Sequence, residues 1–390
     1  MIQTFQCPPR IETGQGSAAR LGALIREIGS TRTLIVTDKV LSEKTEIVSR
    51  VVASLKGSDL QVEIYDDVEP DPLVTTAERS IEFARRVRPD GVVGLGGGSA
   101  MDVAKATAAA LANTVPLRDM WGIGNVPNPG LPTVLLPTTA GTGSEVTPNC
   151  VLTDVKPDGG HMKKGIVSPH ILARIAIVDP LLTVTAPPGI TASSGMDALT
   201  HAVETCVSRS ATPLTRPLAF EAIRLIGASL RRAVANGEDL EARTNMANAS
   251  LMAGLAFANG FLGAVHAIAM AMGGQFDVPH GIANALLLPY VMEWNEMACT
   301  KQFAQIAVAL GEPIEGLSER DAAHVASEAV HQLVVDIGLP HTLADLDIPR
   351  TGIARLAEES FGNQRLLKNN PRTATVKDLT GILESASGAA

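Results

Sequence analysis

Short β-branched runs alternate with helical stretches over the first half of this 390-residue chain, and the alternation stops after Asp179-Pro180. Thr33-Leu-Ile-Val-Thr37, Gln61-Val-Glu-Ile-Tyr65, Gly91-Val-Val-Gly-Leu95 and Thr133-Val-Leu-Leu-Pro137 have strand character and are bounded by Gly, Pro or Asp. Between them, residues 75–87 and 100–112 are amphipathic with helical period. Such an order leaves few folds open, because strands separated by helices must lie mostly parallel with helices on both faces of the sheet. From about Gly189 the period is helical almost throughout, with few β-branched clusters. Ala186-Pro-Pro-Gly189 interrupts both patterns. The expected organisation is α/β plus all-α: an α/β domain over residues 1–185 and an all-helical domain over 186–390. A chain of this length exceeds the usual single core.

The formal charge of −9 and the absence of any long run of like charges argue against a nucleic-acid partner and for small-molecule chemistry. Cys7, Cys150, Cys206 and Cys299 show neither C-x-x-C spacing nor the density of a disulfide framework, so the chain reads as cytoplasmic. Its opening residues have no basic region followed by an apolar run, so no signal peptide is expected. Residues 250–274 imitate a membrane span. They carry Asn259 and His266, however, and their apolar side chains are mostly small, so one helix buried on all sides of a water-soluble domain is expected instead.

Two glycine-rich turns follow strands. The first, Gly94-Leu-Gly96-Gly97-Gly98-Ser99, leads into a helix, where glycines admit close backbone approach and the helix start favours an anion. Alone it is a weak match to a dinucleotide fingerprint and reads equally as a tight turn with no ligand. The second, Pro137-Thr138-Thr139-Ala-Gly141-Thr142-Gly143-Ser144-Glu145, repeats the arrangement with added hydroxyls. Two such turns at carboxyl ends of strands favour a phosphate-bearing cofactor. Asp38 ends a strand and reads in two ways, as a partner for an adenosine ribose, which would prefer NAD over NADP, or as a helix N-cap.

In the second half, Asp197 and His201 stand four apart, so a helix would project both from one face. His266 lies in the apolar run, where an imidazole needs a hydrogen-bond partner or a metal. His280 follows Pro279 in a turn leading into the apolar helix from Ile282. Three imidazoles and a carboxylate suit Fe2+, Zn2+ or Mn2+. His161, His170, His324, His331 and His341 read as solvated or capping residues.

Together, Gly96-Gly-Gly-Ser-Ala-Met-Asp-Val-Ala-Lys105, Pro137-Thr-Thr-Ala-Gly-Thr-Gly-Ser-Glu145, Gly195-Met-Asp-Ala-Leu-Thr-His201, Phe276-Asp-Val-Pro-His280-Gly-Ile-Ala-Asn284 and Asn370-Pro-Arg372 resemble the iron-containing, group III alcohol dehydrogenases. The resemblance implies a Rossmann-like N-terminal domain, a helical C-terminal domain, and a cleft between them for NAD(P) and a divalent metal, usually iron. By position it implies Asp197, His201, His266 and His280 as metal ligands, and Asp38, Gly97, Gly98, Ser99, Thr138, Thr139, Thr142, Thr147 and Lys163 as cofactor contacts. Asp71 replaces a common asparagine near the cofactor, and Met270 stands where many members have a second histidine assigned to proton relay. The expected activity is reversible hydride transfer between an alcohol and its aldehyde or ketone, by a homodimer with no membrane partner. The alternatives are a maleylacetate reductase-like oxo-acid reductase and a sugar-phosphate cyclase resembling dehydroquinate synthase. Sparse Lys and Arg near the metal motifs speak against both.

Overall fold

A computed structural model describes residues 4–155 and 160–388, and the chain divides into two units, Gln6–Ala186 and Pro187–Ala390 with the first five residues. In the first unit the strands are β1 (Arg10–Thr13), β2 (Arg32–Val36), β3 (Gln61–Tyr65), β4 (Gly91–Gly96), β5 (Gly122–Ile123), β6 (Thr133–Pro137), β7 (Asn149–Val155), β8 (His161–Val167) and β9 (Ile175–Val178). Its helices are α1 (Leu21–Glu27), α2 (Lys39–Lys44), α3 (Ile47–Lys56), α4 (Val74–Val87) and α5 (Gly98–Ala112).

Six strands form one parallel sheet in the order β1-β9-β6-β4-β2-β3. The central strands β2, β4, β6 and β9 are buried on both faces, as their near-continuous apolar runs require, while the edge strands β1 and β3 are more open. Successive residues feed opposite sides: Leu34, Val36 and Leu135 join one apolar cluster, while Ile35, Val134 and Leu136 join the other. The chain runs outward from β2 to β3 and then crosses back to β4. This reversal between neighbouring strands opens a crevice at their carboxyl ends, the usual ligand position in such sheets. β1, β9 and the small β5-β8-β7 sheet were not foreseen. Strands of two to four residues carry too little pattern, and β8 reads His161-Met-Lys-Lys-Gly165, without an apolar face. His161 opens that strand.

The second unit is helical: α6 (Pro188–Val207), α7 (Thr215–Ala235), α8 (Leu240–Gly260), α9 (Ala264–Phe276), α10 (His280–Asn295), α11 (Thr300–Leu310), α12 (Glu319–Asp336), α13 (Ile353–Gly362), α14 (Gln364–Leu367) and α15 (Val376–Ser385). The single helix expected over 250–274 is instead the end of α8 and most of α9, which meet at 101°. Phe261, at φ 61°, turns the chain at the break. The first amides of the new helix are then satisfied from outside it: Gly263 and Val265 donate to Glu204 at 3.0 and 2.6 Å, and Ala264 donates to Asn370 at 3.3 Å. Among the described residues no single helix is long and apolar enough to cross a membrane.

Glycines set how closely these helices approach. A Cβ on Gly281 would fall 2.5 Å from the Ser193 carbonyl oxygen, so α10 meets α6 backbone to backbone at this point. On α6, a Cβ on Gly195 would fall 2.3 Å from Leu230 of α7. The residues beside these two contacts are His280 and Asp197.

Candidate metal centre and nucleotide turns

The helix α6 presents Asp197, His201 and Glu204 at i, i+4 and i+7, one face of a 3.6-residue repeat. Asp197 Oδ1 lies 3.7 Å from His201 Nε2, 3.8 Å from His266 Nε2 and 3.7 Å from His280 Nε2. These separations are long for hydrogen bonds. They suit donors sharing one ion, whose bonds to imidazole and carboxylate run to about 2.0–2.2 Å. Ligand atoms of Asp197, His201 and His266 all lie within 4.8 Å of one another. His280 completes the four and is the most open, with its side chain 37% exposed against 4–5% for the others. It is the first residue of α10, rather than part of a turn before Ile282.

The rings are packed as well as aimed. His201 stacks between Phe257, at 4.2 Å between centroids, and His266, at 4.8 Å. His266 Nδ1 lies 2.8 Å from Glu204 Oε2, which turns Nε2 toward Asp197. The Asn284 amide nitrogen lies 2.7 Å from Asp197 Oδ1, 3.2 Å from His266 Nε2 and 3.1 Å from His280 Nε2, while its buried carbonyl oxygen has no partner. Burial works to raise the Asp197 carboxyl, but the three imidazoles and the Asn284 amide hold it below its ordinary value. One carboxylate oxygen and three ring nitrogens converge on one small space beside the Asn284 amide. That donor set fits a divalent iron, zinc or manganese ion.

Met270 follows His266 by one turn of α9, and the Asn363 amide nitrogen lies 3.5 Å from its sulfur. The remaining histidines lie apart from this cluster. His170 Nδ1 is 2.8 Å from the Val126 carbonyl oxygen, and His324 lies beside Glu296 and Glu328.

In the α/β unit the two glycine turns close on each other. Gly96 pairs with Pro137 across β4 and β6, and the Thr138 amide donates to the Gly96 carbonyl at 2.9 Å. A Cβ on Gly98 would fall 2.8 Å from the Thr142 methyl, and one on Gly97 3.6 Å from Thr139 Oγ1. Asp38 N-caps α2 through the Leu41 amide at 2.9 Å, and its second oxygen would lie 3.6 Å from a Cβ on Gly96. The capping reading of Asp38 therefore holds, with the carboxylate also standing at the switch between β2 and β4. Asp71, Ser99 and Lys163 form one further group. The Asp71 amide donates to Ser99 Oγ at 3.2 Å, Lys163 pairs with the Asp71 carboxylate, and Asp71 itself sits at φ 52°, a conformation that Asp and Asn tolerate. Thr147 sits deeper, buried, with its carbonyl accepting from Lys105.

Sequence reasoning gave Lys105 no role. It is fully buried in α5 and donates to Ser144 Oγ at 2.7 Å and to the Thr147 and Asn149 carbonyls at 3.2 and 2.7 Å. Ser144 in turn donates to Asp102 at 2.6 Å. Burial pushes the Lys105 ammonium down and the Asp102 carboxyl up, and their mutual attraction opposes both shifts. This network ties the helix behind the first turn to the second. A lysine within the small-residue run Ala104–Ala112 was its visible signal.

Two family models match the chain: "Iron-containing alcohol dehydrogenase" over residues 8–180 and "Fe-containing alcohol dehydrogenase family, C-terminal" over 191–387. The long-chain-alcohol dehydrogenase 1 of Geobacillus thermodenitrificans (strain NG80-2) is 42% identical over 382 residues, covering 97% of this chain and 95% of that protein. The NAD-dependent methanol dehydrogenase of Bacillus methanolicus is 39% identical, covering 99% of this chain and all of its own. The crystal structure of a 1,3-propanediol oxidoreductase superposes with a TM-score of 0.95 at 40% identity, covering 99% of this chain and 100% of that one. The chain belongs to the iron-containing alcohol dehydrogenase family, whose members are metal-dependent, NAD-linked oxidoreductases.

Proposed function

We propose that the chain interconverts primary alcohols and aldehydes, with Asp197, His201, His266 and His280 holding the divalent metal. Fe2+ is the first expectation, and the same donors accommodate Zn2+ or Mn2+. The observation that carries this reading is the single carboxylate oxygen of Asp197, 3.7–3.8 Å from three imidazole nitrogens. NAD would be held by Asp38, Asp71, Gly97, Gly98, Ser99, Thr138, Thr139, Thr142, Thr147 and Lys163, with the glycine turns taking the pyrophosphate. Primary alcohols are favoured because the relatives above are named for long-chain alcohols, methanol and 1,3-propanediol.

When bound, the metal supplies Lewis acidity toward the alcohol oxygen and NAD supplies the hydride acceptor. The residues of this chain do the holding. The Asp197 carboxyl, kept below its ordinary value, stays an anionic donor at neutral pH. Asn284 steadies Asp197 from the side, and the more exposed His280 leaves that flank of the cluster open. Met270 neither gives nor takes a proton, so the substrate proton leaves by another route. The same proposal places a homodimer in the cytoplasm, where the four free thiols, one of them exposed at Cys7, suit a reducing compartment.

The test is a panel of primary alcohols, aldehydes and oxo acids with NAD(H) and NADP(H), run before chelation, after it, and after Fe2+ is restored. NADH formation from primary alcohols, lost on chelation and regained with Fe2+, is expected. Turnover indifferent to chelation, or confined to oxo acids, would contradict the proposal.

A further inference from the structure

Glu204 touches no ligand atom that faces the metal cluster, yet it meets His266 on the opposite side of the ring. Its Oε2 takes the Gly263 amide at 3.0 Å and stands 2.8 Å from His266 Nδ1, while Oε1 takes the Val265 amide at 2.6 Å. The side chain is 5% exposed, so water does not compete for these bonds. An acceptor at Nδ1 requires the proton there, which leaves the Nε2 lone pair bare toward Asp197. Gly263 keeps the space clear: a Cβ at that position would fall 3.2 Å from Glu204 Oε1 and 2.9 Å from Asn370 Oδ1.

We infer that Glu204 is a positioning residue for the metal centre: one carboxylate starts α9 and fixes the His266 tautomer, so the helix forms only with its ligand nitrogen correctly presented. The inference rests on the proposed metal role of His266. Asn370 supplies an internal control. It caps the same helix through the Ala264 amide at 3.3 Å and is held there by Asn295, at 2.8 Å, but makes no bond to His266. A purely structural role for Glu204 would make metal affinity follow the stability lost at either residue.

The experiment compares Co2+ affinity and metal-free melting temperature in wild type, Glu204→Leu, Glu204→Gln and Asn370→Ala. Glu204→Leu should lower both, weakening Co2+ binding roughly 10- to 100-fold, as loss of a partner behind a ligand does. Glu204→Gln should melt lower but bind within a few-fold of wild type. Its single oxygen serves Gly263 and His266 together and leaves only Val265 unmatched. Asn370→Ala should melt lower with affinity unchanged. The inference is overturned if Glu204→Leu binds Co2+ like wild type, or if affinity follows melting temperature across all three variants. Should Glu204→Leu fail to fold, 15N spectra of the metal-free wild type decide, with the His266 signal identified by its loss in His266→Gln. A proton on Nδ1 is expected and a proton on Nε2 overturns the assignment. Wild-type Co2+ affinity in His266→Gln would instead remove the metal reading beneath it.

Discussion

The metal centre and the glycine turns solve opposite problems. In the helical unit, the proposed recognition is by side chains. Four donors from three helices converge, and the backbone matters for bringing α6 and α10 together at Gly281. In the α/β unit, the proposed recognition is by the backbone, and what matters is the lack of a side chain, as at Gly98 beside Thr142. Deleting a side chain should therefore be ruinous in one region, and adding one should be ruinous in the other.

The largest effect belongs to the helical unit. Asp197→Ala removes the one anion shared by three imidazoles and should weaken metal binding roughly 100- to 1,000-fold, about a quarter of a four-ligand binding energy. NAD affinity should be left nearly unchanged. Equilibrium titrations with metal and with NAD separate the two, and a parallel loss of both would blur the contrast between the regions.

Next comes a buried carboxyl in the second turn. Burial pushes Glu145 up to about 7, and its Oε2 has no partner. A carboxyl with a raised folded-state value favours the fold when protonated, so its cost is absent below about pH 4.5, grows as the pH climbs, and is complete above about 7. The cost is about 3 kcal/mol. Glu145→Gln, neutral at every pH, should therefore lose less stability than wild type between pH 5 and 8. Denaturant unfolding at the two pH values checks this; identical pH dependence would mean that Glu145 keeps an ordinary value.

Gly98→Val drives a branched side chain into Thr142. Overpacking of this kind costs about 1–3 kcal/mol, so NAD should bind roughly 10- to 100-fold more weakly while Co2+ affinity holds. The smallest expected effect is at Asp38. Asp38→Asn preserves the cap on Leu41 but removes the charge that the proposed function sets toward an adenosine ribose, so the ratio of NADP to NAD use should rise about tenfold with little change in melting temperature. A fall in stability with unaltered cofactor preference would leave Asp38 with the capping role alone.

Much of the α/β framework was legible because short apolar β-branched runs and amphipathic helices are local signals. The four expected strands, β2, β3, β4 and β6, appear within a residue or two of their expected bounds. What escaped was set by distant partners. Nothing local to residues 250–274 says that Glu204 and Asn370 will take the amides that begin α9, although Gly260 and Gly263 flank the break. The convergence of Asp197 with His201 followed from helix geometry. That of His280 depended on the close passage of α10 past Ser193, and that of His266 on the Glu204 carboxylate behind its ring, neither of which a spacing rule contains. Lys105 was visible as a lone charge among small residues, but its three acceptors come from residues 39 to 44 positions away.

The most direct test of the metal assignment is a titration of metal-free protein with Fe2+ under anaerobic conditions, following bound iron and NADH formation from a primary alcohol in the same samples. The account predicts that activity rises in proportion to bound iron and saturates at one ion per chain, with Asp197→Ala showing neither tight binding nor activity. Activity in the metal-free protein, or an Asp197→Ala variant that binds and turns over like wild type, would contradict it.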